Sequence, residues 1–481
     1  MLNIREGVLD ILNQNLQRYV APQVTSADGQ LTVMLINFVL SYLATEEADL
    51  PGNQAERHAA LSPLLEELRL KTADPGSSIG PAADALGSAI VAALAEPGSV
   101  QATSAALQTA LLHGVVSTDL QRQIARVEAH FVGALHRRFA ARSSGQAYTQ
   151  EGSPVGQRQL TRALLTGYLQ RRLPEYPGIE ATEVVEVGGG MAKKTYRLSV
   201  EHGPPGWEAL ILRQDAIGGP TPLSVLDEVA VLRAVERHGL PVAHIEWVEP
   251  DPRYLDAPFT LNTRRAGTCA RAEWKISRRD TPPPLEQLAA YTARLHRIPI
   301  AAIEGLACPA DPTAAIESFL DSIERRWHRD RLLADPLMQI GFDWLHRNVP
   351  HDVAQLVIVH ADLSERNILL EGGLITTLLD WELWHLGDPG YDLAYTRPLI
   401  EQIGSWSRFL DVYHEHGGPA VDPAHEDYWY ILSEFRNVAM LASGLRTFVD
   451  GRNRNLKIIA PVMHSYRHRL HEGMQRLLPL L

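Results

Sequence analysis

The stretch that most constrains this chain is residues 357–395, VIVHADLSERNILLEGGLITTLLDWELWHLGDPGYDLAY. Two apolar runs, each of strand length, alternate with two polar loops, and the second loop is rich in acids. The apolar runs that separate the first loop from the start of the second can pair as a hairpin, which brings the two loops together. Three oxygen-bearing side chains then come into view. Asp362 lies in the first loop, Asn367 follows five residues on, and Asp380 ends the second run.

Phosphoryl transfer from a nucleotide needs a carboxylate to receive a hydroxyl proton, and oxygen ligands for magnesium. An Asp, an Asn five positions later and a further Asp beyond a hairpin is the pattern of a kinase catalytic loop and its metal-binding Asp. The plainer alternative is a set of surface acids on loops between two buried strands.

The surrounding residues resemble the aminoglycoside phosphotransferase and choline kinase family. They are His360-Ala361-Asp362 with Asn367, then Asp380-Trp381-Glu382, then Gly387-Asp388-Pro389-Gly390-Tyr391-Asp392-Leu393-Ala394. That family typically writes His-Gly-Asp, Asn, Ile-Asp-Trp-Glu, Gly-Asp-Pro and a downstream Asp-Leu-Ala, so Ala361 stands where Gly is usual. The resemblance spans about residues 155–450. It implies an α+β, protein-kinase-like bilobal fold, ATP and Mg2+ as cofactors, and a hydroxyl of a small molecule as acceptor. It also implies Asp362 as the base, with Asn367 and Asp380 as metal ligands.

Upstream residues fall in the matching order. TEVVEV, the run Gly188-Gly189-Gly190 and KTYRLSV read as strand, turn and strand. Glycine lets backbone amides approach phosphate oxygens, although a tight hairpin alone can also use it. Lys193 and Lys194 follow, either as exposed strand-edge lysines or with one amine at a phosphate. WEALILRQD is a strand carrying Arg213, where a kinase keeps a phosphate-holding cation. Lysine is usual there, but arginine also grips phosphate and stays charged. Arg in an Ile-Leu-Arg context resembles the subgroup found in kinase-like domains attached to some acyl-CoA dehydrogenases. The helix PLSVLDEVAVLRAVERHG offers Glu228 as its partner, with Asp227 the second choice; a surface arginine is the alternative. HIEWVE and PFTLNT supply two more strands, and Asn262, Thr263, Arg264 and Arg265 fall at the expected hinge. Thr263 is the expected nucleotide contact there, through backbone groups.

The chain changes character near residue 145. The first of its nine tryptophans is Trp207. Before that, apolar residues recur at three-to-four spacing and break at Pro51-Gly52, Pro75-Gly76 and Pro97-Gly98. The expected organisation is an all-α N-terminal helical bundle over 1–142, a linker over 143–155, a kinase-like N-lobe over 156–265 and a helical C-lobe over 266–481. The bundle carries no catalytic constellation. Its apolar faces fit self-packing, a partner, or a homo-oligomer equally well.

A formal charge of -12 argues against a nucleic-acid partner. Two cysteines without a spacing motif, Cys269 and Cys308, fit a reducing compartment. The opening MLNIREGVLDILNQNLQRYV has charges within its apolar pattern, so it reads as an amphipathic helix rather than a leader. No apolar run approaches the roughly 18 residues of a membrane span. A cytoplasmic protein is expected. P-loop, dinucleotide-fold, zinc-hydrolase and G-x-S-x-G patterns are lacking. His464, His468 and His471 share a helix face, more simply a basic surface than a zinc site. The expected function is therefore a small-molecule kinase; the alternative is a nucleotide-binding pseudokinase serving as scaffold or sensor, with the helical segment as its interaction module.

Overall fold

The computed structural model describes residues 54–72, 82–95, 100–143, 160–187, 192–216, 223–270, 284–332, 334–452 and 456–481. The expected N-terminal amphipathic helix, nearly all of the expected linker, and Gly188, Gly189 and Gly190 lie outside the described residues.

The helical periodicity of the first third produces α1 (54–72), α2 (Ala82–Ala95), α3 (Val100–Leu112) and α4 (Thr118–Ser143). Leu61, Leu65, Leu86, Ile90, Leu107, Leu120 and Ile124 turn inward. Arg57 on α1 bonds Glu128 on α4 (2.8 Å) and Ser104 on α3 (2.8 Å), so a buried guanidinium ties three helices. A buried charge is tolerated only when it is paired in this way.

After α5 (Arg162–Arg172), alternating apolar residues give β1 (Glu180–Val187), β2 (Lys193–Glu201) and β3 (Leu210–Asp215). Helix α6 (Val225–Arg237) follows, then β4 (Ile245–Glu249) and β5 (Phe259–Thr263). The five strands form an antiparallel sheet in the order β1-β2-β3-β5-β4. Even-numbered residues of β2 and β3, including Tyr196, Leu198, Leu210 and Leu212, pack with Leu165, Tyr168 and Leu169 of α5. The odd-numbered residues Thr195 and Arg213 pair across the opposite face, as do Lys193 and Asp215.

The large lobe begins past β6 (Thr268–Cys269) with α7 (Leu285–His296), α8 (Pro312–Asp330) and α9 (Pro336–Arg347). Then come β7 (Val357–Val359), the hairpin β8 (Ile368–Glu371) and β9 (Leu374–Leu378), and β10 (His385–Gly387), which pairs with β7. Helices α10 (Pro389–Ile403), α11 (Trp406–Glu415), α12 (Glu426–Val449) and α13 (Leu456–Leu477) complete it.

The helical segment does not stand apart from this lobe. Leu61, Ile90, Leu107 and Ile124 belong to one apolar cluster with Leu320, Phe342, Phe435, Leu470 and Met474. Helix α9 packs on α3 and α4, and α13 packs on α4. Asp335 N donates to Gln108 Oε1 (3.2 Å), and Arg347 donates to Gln121 Oε1 (3.0 Å). The apolar faces read from the sequence are thus largely covered by the large lobe, although Leu70, Val91 and Leu112 remain exposed. No helix among the described residues is long and apolar enough to cross a membrane.

Candidate active site

The turn after β7 is built around a carboxylate that is itself buried. Asp392, in the first turn of α10, accepts hydrogen bonds from the backbone N–H groups of His360 (2.8 Å) and Ala361 (2.7 Å), and faces His296 Nε2 at 3.1 Å. Ala361 sits at φ +67°, a left-handed conformation that disfavours a Cβ, which accounts physically for a position where glycine is usual. The charge-assisted bonds to Asp392 offset that strain. Asp388, one turn earlier, caps α10 by accepting from Gly390 N (2.7 Å).

The His360 ring fixes the next link. Its Nδ1 accepts from Asp362 N (3.2 Å), so the ring hydrogen sits on Nε2 and is donated to Leu379 O (2.9 Å). Asn367 Nδ2 donates to Asp362 O (3.0 Å) and Oδ2 (2.8 Å). Its Oδ1 carries no hydrogen bond among the described residues. Ile368 pairs with Leu378, and Leu379 N donates to Asn367 O (2.8 Å). The hairpin therefore sets Asn367 beside the residue before Asp380, which itself adopts φ +63°.

From the small lobe, Arg213 spans the cleft. It donates to Glu228 Oε2 (2.7 Å) and to Asp380 Oδ1 (3.0 Å). Burial works against its charge, yet Glu228, Asp380 and Glu382 together push its pKa up. Glu228 is 2% exposed; burial pushes its carboxyl up while Arg213 and Lys193 oppose that shift. Asp227 instead closes a capping box with Ser224 at the start of α6. Glu382 is pushed well above the carboxylate range by burial and by the Asp380 charge. Arg213, Glu228, Asp362, Asn367 and Asp380 are thus joined by hydrogen bonds and one hairpin.

The exposed-edge reading of the twin lysines is overturned. Lys193 and Lys194 are not exposed edge residues, being 6% and 4% accessible. Lys193 pairs with Asp215 (3.0 Å) and bonds Leu223 O, tying β2 and β3 to the start of α6. Lys194 lies on the opposite face, where burial pulls its pKa down. The Thr263 hydroxyl accepts from His244 N (2.9 Å) and so closes the β4–β5 end. Of the three C-terminal histidines, the His464 side chain lies outside the described residues. The one grouping with metal-ligand spacing among the described residues is Asp352, Asp422 and His425, at the surface.

The sequence reading missed Tyr395 and Arg469. Tyr395 Oη donates to Asp362 Oδ1 at 2.6 Å. Arg436 of α12 donates to Ala361 O (2.8 Å), and Arg469 of α13 pairs with Glu434 (2.8 Å). Burial pushes the Asp362 carboxyl up; the Tyr395 hydroxyl opposes this and the Asp380 charge adds to it. The one local signal was spacing: Tyr395 follows Asp392 by three residues and shares its helix face.

A carboxylate reachable beside an amide oxygen, a second carboxylate and a held guanidinium can position a hydroxyl against a metal-bound phosphate chain. Acyl-CoA dehydrogenase family member 10 of Mus musculus is 23% identical over 253 residues, 49% of this chain and 22% of that protein. Acyl-CoA dehydrogenase family member 11 of Gallus gallus is 24% identical over 312 residues, 61% of this chain and 38% of that protein. The chain thus spans well under half the length of these curated relatives, and their names agree with the expected subgroup. Among solved structures, a candidate aminoglycoside phosphotransferase from Ralstonia eutropha is 18% identical, with a TM-score of 0.49 over 65% of this chain and 97% of that one. Residues 183–429, just over half of the 481-residue chain, match the Phosphotransferase enzyme family, and the chain belongs to that family.

Proposed function

We propose that this phosphotransferase moves the γ-phosphoryl of ATP to a hydroxyl of a small metabolite, in the cytoplasm and with magnesium. The observation that carries the reading is the joining of Asp362, Asn367 and Asp380 in one hydrogen-bonded loop and hairpin, with Arg213 reaching Asp380 from the small lobe.

Asn367 Oδ1 and the Asp380 carboxylate are hard oxygen donors and carry no mutual bond, which suits Mg2+. Those two oxygens would hold the ion, and its positive charge would help neutralise the phosphates. Arg213, backed by Glu228, holds the α- and β-phosphates. Asp362 orients the acceptor hydroxyl and receives its proton. The protein forms no covalent bond to the phosphoryl group, so its contribution is positioning and charge. Arg436 and Arg469 lie near the base, with Glu434 paired to the latter. That wall favours a neutral or anionic hydroxylated metabolite over a polycationic acceptor.

The test is Asp362→Asn, with nucleotide affinity and phosphoryl transfer measured separately against a panel of hydroxylated metabolites. The expected result is lost transfer with nearly unchanged ATP affinity. Wild-type turnover in the variant would remove Asp362 from the role of base.

A further inference from the structure

Both carboxylate oxygens of Asp362 are held, and by different parts of the fold. Oδ2 receives Asn367 Nδ2 at 2.8 Å, within the same loop. Oδ1 receives the Tyr395 hydroxyl at 2.6 Å, from α10. One face of α10 therefore clamps the backbone of the loop through Asp392 and its side chain through Tyr395, three residues on. Burial and the Asp362 charge push the Tyr395 hydroxyl up, so it keeps its proton and can act toward that carboxylate only as a donor.

Tyr395 is in turn held by two cations from two other helices. The guanidinium carbons of Arg436 on α12 and Arg469 on α13 lie 5.9 and 6.0 Å from its ring centroid. Arg436 is itself anchored to Ala361 O. Arg469 is anchored to Glu434, which is 1% exposed. Arg469 brings α13 into contact with this cluster.

A carboxylate with a donor on each oxygen has its terminal torsion fixed. That matters in phosphoryl transfer. The acceptor O–H gives its proton to Asp362, the new O–P bond forms, and the bond from the γ-phosphorus to ADP breaks with its electron pair leaving on ADP. The base must face the acceptor oxygen along that line throughout. Without Tyr395 the carboxylate would pivot about its single tether to Asn367.

We propose that Tyr395 is a positioning residue for the transfer step, fixing the carboxylate torsion of Asp362, and that Arg469 acts through it. This rests on the reading of Asp362 as the base.

The test uses the full chain and magnesium-ATP hydrolysis, with water as the acceptor. Four variants are compared with wild type: Asp362→Asn, Tyr395→Phe, Arg469→Met, and the double variant of the last two. Thermal unfolding and ADP affinity are measured on each. Tyr395→Phe removes one hydroxyl and is expected to lower kcat by about 10- to 100-fold, the scale of a misplaced catalytic group. KM for ATP, ADP affinity and the melting temperature should stay close to wild type. A residue that only packs would shift the melting temperature and leave kcat alone. Arg469→Met should lower kcat less, and the double variant should be no slower than Tyr395→Phe, because coupled residues are not additive. A Tyr395→Phe kcat within twofold of wild type, beside an inactive Asp362→Asn, overturns this proposal and leaves the base assignment standing. Multiplying losses in the double variant overturn the route through Arg469. An active Asp362→Asn variant overturns the base assignment itself.

Discussion

The Arg213–Glu228 pair gives the most quantitative expectation. Glu228 is 2% exposed, its Oε2 accepts from Arg213, and its Oε1 is buried without a hydrogen-bond partner among the described residues. Arg213→Met therefore strands a carboxylate in the interior. Breaking a buried pair from one side typically costs about 3–5 kcal/mol. Protonation limits the damage. An ordinary glutamate titrates near 4.3, so neutralising it costs about 4 kcal/mol at pH 7 and about 1 kcal/mol at pH 5. The freed Asp380 adds little, because its side chain is 33% exposed and can be hydrated. The expected loss for Arg213→Met is thus about 3–4 kcal/mol at pH 7, shrinking to about 1–2 kcal/mol at pH 5. Adding Glu228→Leu removes the stranded charge and should return most of that stability, since apolar replacements of buried pairs are often neutral. Urea unfolding of the nucleotide-free protein, followed by tryptophan fluorescence at both pH values, measures all three numbers. A single-variant loss under about 1 kcal/mol at pH 7, an equal loss at pH 5, or a double variant as weak as the single would each refute the reasoning.

Asp392→Ala leaves two buried N–H groups and His296 without their acceptor, so a loss of at least about 3 kcal/mol and no transfer activity are expected; thermal unfolding beside turnover checks both. Asp335 is pushed by burial, and further by Glu128, to about 6. The folded state then binds its proton more tightly than the unfolded one. Stability should fall as pH rises from about 4 to about 6, by about 2 kcal/mol for this half-buried group, and stay level above. Asp335→Asn keeps the helix cap and should lack that slope in unfolding free energy measured against pH. A chain starting near residue 150 uncovers the apolar faces of α9 and α13, so it should aggregate or unfold; a monomeric, ATP-binding product in sedimentation would contradict the shared core.

What was legible depended on range. The strands around Arg213 and the hairpin ending at Asp380 followed from alternation and from local turn chemistry. Asp362 and Asn367 are five residues apart, so their proximity is nearly a local fact. Arg213 and Glu228 were paired from order along the chain, and Glu228 is distinguished from Asp227 by helix phase and by the capping box at Ser224. Tyr395 and Arg469 escaped because their meeting with Asp362 depends on how α10, α12 and α13 cross, which no short-range pattern encodes. Lys193 and Lys194 escaped for a different reason. Lysine is exposed by default, and their burial follows from a sheet covered on both faces. The left-handed backbone of Ala361 was not legible, because a dihedral is invisible in a residue name.

The shared core also has a meaning in time. Arg122 of α4 bonds the carbonyl of Leu481, its partner 359 positions later in translation. At the usual 5–20 residues per second, roughly 20 to 70 s pass before the ribosome delivers α13 to helices already made. The apolar sides of α3 and α4 wait first for α9, and the part of α4 covered by α13 waits for the whole interval, so the helix bearing Arg469 arrives after every other piece of the site. Nascent chains therefore carry an aggregation hazard until α9 and then α13 are made, and the helix that reaches Tyr395 is the last of these pieces.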